Sequence, residues 1–590
     1  MHKSIQVTRL FDFPYYQLNK YPQEKCLVSK EKNTWISIST KKYINKANIV
    51  SRALLNLGIK PGDKIAVITN TNQPKWHILD IGVLQIGAIN VPLYPTFSQK
   101  DYAYVLNHSD SIYCFVSDND LYKKVAAVKD KTQLKKIFTF EDIDTDYSWS
   151  SFLSLGNDEA TQSLVDKNKA LVHATDLATI IYTSGTTGTP KGVMLSHQNI
   201  VSNIFAVGNS LNLHSNKKRA ISYLPVSHIF ERAASYYCQY MGFEIYFAES
   251  IDKISDNLKE VSPNFMAVVP RLLEKVFDKI VDKGSDLSSI KKRLFFWAIE
   301  LAEQYKPYKE NGIWYEFKLK IARKLIFSKW KKALGGQLDF MLAGSAPMQP
   351  RLIKIFTAAG IPVFEGYGMT ETSPAISVTD MRNKGFKIGT VGKVIKDIIV
   401  KIANDGEILV KGPNIMMGYY KNIEKTTETI QNGYLHTGDI GELDDDGFLK
   451  ITDRKKEIFK TSGGKYIAPA VLESELKKSR FIEQVMVIGE SEKMPAAILQ
   501  ISFDFVNEWA KRHNYTISNF STDKILINRL QKEIDYYNKK FGKWEQIKQF
   551  EITQDQWTVE AGHLTPTLKM RRKIVLEKYN NLYQKIYNSQ

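Results

Sequence analysis

"YTSGTTGTPKG", residues 182–192, is the densest run of small, hydroxylated and glycine residues in the chain, and it closes on a lysine and a glycine. The apolar run "LATII" leads directly into it. Gly185, Gly188 and Gly192 permit positive φ and close backbone approach. Thr183, Ser184, Thr186 and Thr187 offer hydroxyl donors, and Lys191 offers a positive charge. The expected geometry is a strand, this loop, and then a helix beginning near Ser196, which would present backbone N–H groups to an anion. The loop is not of the G-x-x-x-x-G-K-[ST] kind, because Lys191 follows Pro190 and precedes a glycine. Pro190 also opposes direct continuation into a helix. The stretch therefore reads as a phosphate-gripping loop of another kind.

Outward from the loop, the chain alternates short apolar runs with helical periodicity up to about residue 380. "KIAVI" (64–68) precedes a segment with Trp76, Leu79, Val83 and Ile86 on one helical face, and "AINVPLY" follows. "IYCFVSD", "AISYLPVSH", "FEIYFAE", "FMAVVP" and "LDFMLAG" continue the pattern. Such alternation predicts an α/β fold of parallel-rich sheets covered by helices. Ligands of these sheets sit beyond the carboxyl ends of the strands. From about 388 the texture turns to short β runs with Gly, Asn and Asp turns, predicting a small β subdomain over 388–454. Past "ITDRKKEIFKTSGGKYIAP" (451–469) come one or two short strands and lysine-rich helices, predicting a small α+β domain over 455–590.

At 590 residues the chain is too long for one core. No stretch of about 18 apolar residues suggests a spanning helix, and the N-terminus lacks the apolar core of a secretory signal. Three scattered cysteines argue against a disulfide framework or a zinc site and fit a reducing cytoplasm. The net charge of +18 is compatible with nucleotides, anionic membranes or nucleic acid as partners. No nucleic-acid signature accompanies the charge. Between 275 and 335 lies a basic, aromatic helical segment. In it Ile290, Leu294, Trp297 and Leu301 fall on one face, and Phe317, Ile321 and Leu325 on another. Two accounts fit it: a basic amphipathic surface for peripheral contact with an anionic membrane, or a helical hairpin packed on the protein with solvated lysines.

"YTSGTTGTPKGVMLSH" resembles the signature loop of the adenylate-forming synthetases: acyl-CoA synthetases, peptide-synthetase adenylation domains and luciferases. The other motifs of that superfamily follow in order. They are "YLPVSHIFER" (223–232), "AGSAPM" (343–348), "EGYGMTET" (365–372), "GYLHTGD" (433–439), "DRKKEIFKTSGGKYIAP" (453–469) and "LTPTLKMRRK" (564–573). The likeness spans roughly residues 30 to 580. It implies a large N-terminal domain (1–454) and a small mobile C-terminal lid (455–590). It also implies activation of a carboxylate with ATP, then transfer to a thiol, usually that of coenzyme A.

The resemblance also implies roles for residues. Thr183 to Gly188 and Lys191 would grip the β- and γ-phosphates of ATP. Gly344, Ser345, Ala346 and Pro347, with Glu365, Gly366, Tyr367 and Gly368, would wall the adenine and the acyl-phosphate junction. Thr370 would contact the α-phosphate. Glu371, with Ser184, would hold Mg²⁺, which prefers a carboxylate plus phosphate oxygens. Asp439 would take the ribose hydroxyls and Arg454 the ribose or phosphates. His228 would gate the acyl pocket or orient the carboxylate. Lys569 would reach the α-phosphate and carboxylate oxygens. Lys456 stands at the hinge, and rotation there would exchange Lys569 for the turn Ser462, Gly463, Gly464, Lys465, opening a path for coenzyme A. "LPVSHIFER", "LTPTLKMRRK" and the 275–335 insert look most like long-chain fatty acyl-CoA synthetases. The alternative acceptor is a carrier protein. Leu435 departs from the tryptophan or phenylalanine that relatives often carry there.

Overall fold

Apolar runs too short for a helix and flanked by turn residues become strands of two large sheets in the computed structural model. It describes residues 5–142, 147–183, 189–211, 218–380, 384–559, 561–565 and 569–588. Among these, one sheet runs in spatial order β18 (Gly418–Tyr419), β8 (Lys191–Ser196), β7 (Leu177–Thr183), β4 (Ile89–Leu93), β3 (Lys64–Ile68), β5 (Ser111–Val116), β6 (Lys136–Thr139). From β7 to β6 the strands are parallel, while β8 and β18 are antiparallel.

The second sheet runs β15 (Lys393–Val394), β14 (Ala375–Val378), β13 (Val363–Gly368), β12 (Phe340–Ala343), β11 (Phe265–Val268), β9 (Arg219–Ser222), β10 (Glu244–Phe247), β1 (Leu27–Glu31), β2 (Thr34–Ile38). Its central strands, β13 to β1, are parallel, and the antiparallel strands lie at the edges.

Helices α1 (Pro74–Leu84), α2 (His197–Ser210) and α3 (Ile229–Met241) matter most for the site. The sequence pattern predicts one apolar face for α1, but every residue of it except Lys75 is buried. The reason is its place: it touches β4 of one sheet and β1 of the other, so it is covered on all sides, with even His77 and Asp80 buried. Gly82 allows this crowding, since a Cβ there would stand 2.4 Å from Val50 Cγ1. A buried ion pair ties the layer together. Arg232 of α3 donates to Asp80 of α1 at 2.6 Å and to Thr179 of β7 at 2.7 Å, and Asn90 of β4 donates to Asp80 at 2.6 Å. Tyr236 adds a further bond to Asp80.

The basic insert is a set of helices, α4 (Pro270–Ser285), α5 (Ser289–Glu303) and α6 (Ile313–Ala322), which runs on through a π-helical turn, Arg323–Phe327. It packs on the second sheet, its buried Phe295, Tyr315, Leu319, Phe327 and Trp330 sharing one core with Ile221 of β9, Met266 and Val268 of β11 and Met341 of β12. The face read for α5 packs inward apart from one residue: Leu301 is buried and Leu294 and Trp297 lie against the core, whereas Ile290 is exposed, and Phe295, Ala298, Ile299 and Ala302 widen the inward face. The face read for α6 is corrected: its inward face is Tyr315, Leu319 and Ala322, which leaves Ile313, Trp314, Phe317, Ile321 and Leu325 exposed.

Beyond 388, an antiparallel sheet comprises β16 (Ile399–Ile402), β17 (Glu407–Lys411), β20 (Tyr434–Leu443) and β19 (Ile430–Gln431), with β21 (Leu449–Arg454) also on β20. The segment is not separate from the large sheets, because its strands β15 and β18 join them. The C-terminal region holds the hairpin β22 (Phe459–Lys460) and β23 (Tyr466–Ile467). Its other sheet comprises β24 (Ile482–Ile488), β25 (Ala496–Ile501) and β26 (Phe550–Thr553). The third of these strands is not evident from the sequence: "FEIT" is too short and polar to stand out. Helix α7 (Phe503–Arg512) packs nearby. No helix among the described residues is long and apolar enough to cross a membrane.

Candidate active site

The glycine-rich loop connects two antiparallel strands, with Thr183 of β7 opposite Lys191 of β8. The expected strand–loop–helix geometry is therefore replaced by a hairpin. Ser196 does cap α2, accepting from Asn199 N–H at 3.1 Å, but β8 lies between the loop and that helix end. Anion binding by the helix terminus is thus excluded as the loop's device. Ser184, Gly185, Thr186, Thr187 and Gly188 lie outside the described residues. Lys191 aims its ammonium over the Tyr419 ring at 5.6 Å. Burial lowers its pKa, with Lys425 and Lys456 pressing the same way and Glu371 opposing.

β13 delivers "EGYG" to the same region. Glu365 is buried, and desolvation pushes its carboxyl up to about 8. Gly366 and Tyr367 follow, and at Gly368 a Cβ would stand 1.8 Å from the Pro374 carbonyl oxygen, so only glycine fits. The turn Thr370–Thr372 then buries Thr370 and Glu371. Glu371 accepts from Tyr419 Oη at 2.9 Å, and its backbone carbonyl accepts from Met416 N–H. Tyr419 belongs to β18, the short return of the β segment to the first sheet. Sequence reasoning did not single out Tyr419; its signal was a "GYY" run without a motif around it.

Asp439 lies within strand β20, where the sequence suggests a loop, and it stands directly opposite Arg454 of β21. Its carboxylate accepts from Tyr367 Oη at 2.8 Å and pairs with Arg454 Nε at 3.1 Å. Burial, then Asp439, drives the Tyr367 phenol well above its ordinary pKa. The loop after β12 carries Gly344, Ser345, Ala346 and Pro347. Ser345 sits at φ +70°, a region uncommon for a residue with a Cβ. A Cβ on Gly344 would come within 3.1 Å of the Phe230 ring, so this loop borders the start of α3.

His228 caps α3, its Nδ1 accepting from Phe230 N–H at 3.1 Å, which leaves the proton on Nε2. Burial, aided by Lys569, lowers its pKa to about 3, so the ring is neutral. Past it, a cavity between α3 and strands β9, β10 and β11 is lined by Ala220, Ala234, Ser235, Cys238 and Phe265, among others.

Lys569 enters from the C-terminal region. Thr565 holds it in place: Thr565 N–H donates to the Lys569 carbonyl at 2.7 Å, and Thr565 Oγ1 accepts from Lys569 N–H at 3.0 Å. The side chain keeps accessible surface because it faces a cleft, yet the surrounding protein desolvates it. That desolvation lowers its pKa to about 8, Arg454 adds repulsion, and Asp439 and Glu371 oppose. So Lys569, Arg454, Asp439, Glu371 and His228 share one cleft. Lys456 is exposed in the turn between β21 and β22. The turn Ser462, Gly463, Gly464, Lys465 makes its contacts within the C-terminal region. There Ser462 N–H donates to the Glu492 carbonyl at 2.9 Å, and Lys465 lies over Trp544. It is therefore not part of the cleft in this pose. Among the described residues no cluster of three or more His, Cys, Asp or Glu could hold a metal.

Residues 15–420 match the model of the AMP-binding enzymes, and residues 456–590 that of the AMP-binding enzyme C-terminal domain. The chain is 32% identical over 568 residues to the long-chain-fatty-acid–CoA ligase FadD15 of Mycobacterium bovis, covering 94% of this chain and 93% of that protein. To long-chain-fatty-acid–CoA ligase 5 of Rattus norvegicus it is 32% identical over 599 residues, covering 94% of this chain and 84% of that one. Among solved structures, the adenylation domain of a carboxylate reductase from Mycobacterium chelonae superposes with a TM-score of 0.74 at 20% identity, covering 98% and 91% of the two chains. An anthranilate CoA ligase in complex with anthranoyl-AMP gives 0.71 at 18% identity, with 97% of both chains covered. At such identities the two structures speak for the fold alone.

Proposed function

The chain belongs to the AMP-binding enzyme family, and from that premise we propose that it is a long-chain fatty acid:CoA ligase. In the first step the fatty carboxylate attacks the α-phosphorus of ATP. An O–P bond forms, the bond to the β-phosphate breaks, and pyrophosphate leaves. In the second step the thiol of coenzyme A attacks the acyl carbonyl and loses its proton. A C–S bond forms, the acyl C–O bond to the phosphate breaks, AMP leaves with that oxygen, and the thiol proton passes to solvent. The first step needs no general base, since the acid is already ionised at neutral pH. It needs positioning and charge neutralisation.

The observation that carries this proposal is the gathering of Lys569, Arg454, Asp439 and Glu371 around one cleft. Asp439 accepts the ribose hydroxyls, and Tyr367 with Gly344 to Pro347 walls the adenine. Lys191 and the loop before it take the leaving pyrophosphate. Thr370 and Lys569 face the α-phosphate, and neutral His228 orients the carboxylate from the head of α3. The acyl chain enters beside His228 at the head of α3. The buried carboxylate of Glu371 would hold Mg²⁺ together with phosphate oxygens, since the ion needs few protein ligands; Ser184, the other residue the resemblance implies for it, lies outside the described residues. When bound, the ion neutralises phosphate charge. Residues 1–454 act as the body and 455–590 as the lid, which turns about Lys456 to bring the turn 462–465 to the cleft for the second step.

The two curated relatives named above, at 32% identity, are long-chain-fatty-acid–CoA ligases, which favours free coenzyme A over a carrier protein as the acceptor. The enzyme works in the cytoplasm and touches anionic membrane through the exposed apolar and basic face of α6. A pyrophosphate-release assay with saturated acids from acetate to C20, with and without coenzyme A, tests the proposal. Long chains should give the highest turnover, and acyl-CoA should form. A maximum at acetate, or adenylate accumulating without thioester when coenzyme A is present, would overturn it.

A further inference from the structure

Helix α4 carries Arg271, Asp278 and Asp282, with Asp286 as its C-cap residue. At spacings of seven, eleven and fifteen from Arg271, all four fall on one face of the helix. That face meets the C-terminal region. Arg480, just before β24, pairs with Asp282 and lies 3.9 Å from Asp278. Arg512, the last residue of α7, stands 3.9 Å from Asp286. At the other end the signs reverse, since Arg271 pairs with Glu483 of β24. The two surfaces are complementary in order, and that order fixes one orientation. Arg480 is held ready for its partners by stacking on the Phe505 ring at 4.2 Å.

Every one of these pairs joins residues on opposite sides of the turn at Lys456. Rotation of the lid about that turn parts them. They exist in the pose that sets Lys569 beside Asp439, Arg454 and Glu371, which is the pose for adenylation. We propose that the charged face of α4 is a latch for the lid, with Arg480 and Asp282 as positioning residues that favour the adenylating pose over the thioester-forming one. The inference rests on the two-step ligase reading above.

Exposed ion pairs contribute little singly, so the latch is weak enough to open each turnover and strong enough to bias two poses of similar energy. Two variants test it, one from each side: Arg480→Glu, and Asp282→Arg, which leaves the lid itself unchanged. Each should slow fatty-acid-dependent ATP–pyrophosphate exchange by about three- to tenfold. The rate at which coenzyme A consumes preformed, enzyme-bound acyl-adenylate should be unchanged or faster. The double variant, with the charges swapped, should regain much of the exchange rate, and raising the salt to about 0.5 M should slow exchange in the unsubstituted enzyme. Equal slowing of both half-reactions, unaltered exchange in both single variants, or no recovery in the double variant would overturn the latch. Failure of the underlying reading would look different: the unsubstituted enzyme would show no fatty-acid-dependent exchange at all, and the latch would fall with it.

Discussion

Asp439 and Arg454 face each other across the register of β20 and β21, with Arg454 Nε 3.1 Å from Asp439 Oδ1, and Tyr367 Oη occupies the second carboxylate oxygen at 2.8 Å. Two neighbours thus fix the carboxylate before any nucleotide arrives, and the strand ladder fixes its backbone. For a carboxylate that accepts ribose hydroxyls, such bonds contribute about 1.5–3 kcal/mol. Asp439→Asn should raise the KM for ATP by about tenfold or more, with a smaller effect on the KM for the fatty acid. Tyr367→Phe removes only the orienting bond and should raise the KM for ATP a few-fold. Steady-state kinetics with each substrate varied separately checks both, and an unchanged KM for ATP in Asp439→Asn would remove the ribose assignment.

Lys569 supplies a pH dependence. Its ammonium is desolvated, and its pKa of about 8 lies below the ordinary lysine value. The charged form is the one that can face a phosphate, and it is lost as pH rises through about 8. kcat/KM for adenylation, which reports groups of the free enzyme, should therefore fall on the alkaline side with a midpoint near 8. Lys569→Arg keeps its charge throughout this range and should abolish that limb, whatever it does to the maximum rate. Lys569→Ala should lose adenylation by orders of magnitude. An alkaline limb that persists unchanged in Lys569→Arg would assign the titration elsewhere.

The motifs that carry the family resemblance contain Glu371, Asp439, Arg454 and Lys569, which the fold brings to one cleft, and the resemblance, not their spacing, singled them out. Gly368 and "MTET" are legible in the same way, and a close approach to Pro374 leaves glycine alone at position 368. What escaped is what depends on tertiary pairing. Lys191 begins a strand instead of leading to a helix, since β8 finds β7 as an antiparallel partner and only the fold reveals that pairing. Tyr419, which holds Glu371, arrives by a chain return from 418–419 that no local pattern announces. The burial of α1 on all sides escaped for a similar cause: periodicity shows that a helix has an apolar face, and only the second sheet shows that its other face is covered too.

Arg232 and Asp80 form a fully buried pair that joins α3 to α1. Removing one member leaves the other charged and without its partner, a loss of about 3–5 kcal/mol in buried pairs. Arg232→Ala should lower the unfolding midpoint of the large domain in urea substantially. Replacing both, as Arg232→Met with Asp80→Asn, should lower it less, because no buried charge is then stranded. A double variant as unstable as the single one would show that the packing of Arg232, and not its charge, is what stabilises the layer.

The exposed face of α6 makes a separate prediction. Ile313 is 88% exposed and Trp314 79%, with Phe317, Ile321 and Leu325 continuing the apolar strip. Lys318, Lys320, Arg323 and Lys324 are exposed beside it. An apolar strip among cations suits the interface of an anionic bilayer, where each lysine near the surface contributes about 1 kcal/mol. Lys320→Glu with Lys324→Glu should weaken co-sedimentation with phosphatidylserine-containing vesicles by about tenfold or more at physiological salt. Trp314→Ala with Phe317→Ala should weaken it also, and less salt-dependently, because it removes apolar contact and not charge. Turnover of short, freely soluble acids should be unaffected by either pair, since α6 lies outside the cleft. Vesicle binding that is unchanged in both pairs, or equal on neutral and anionic vesicles, would show that this face does not engage lipid.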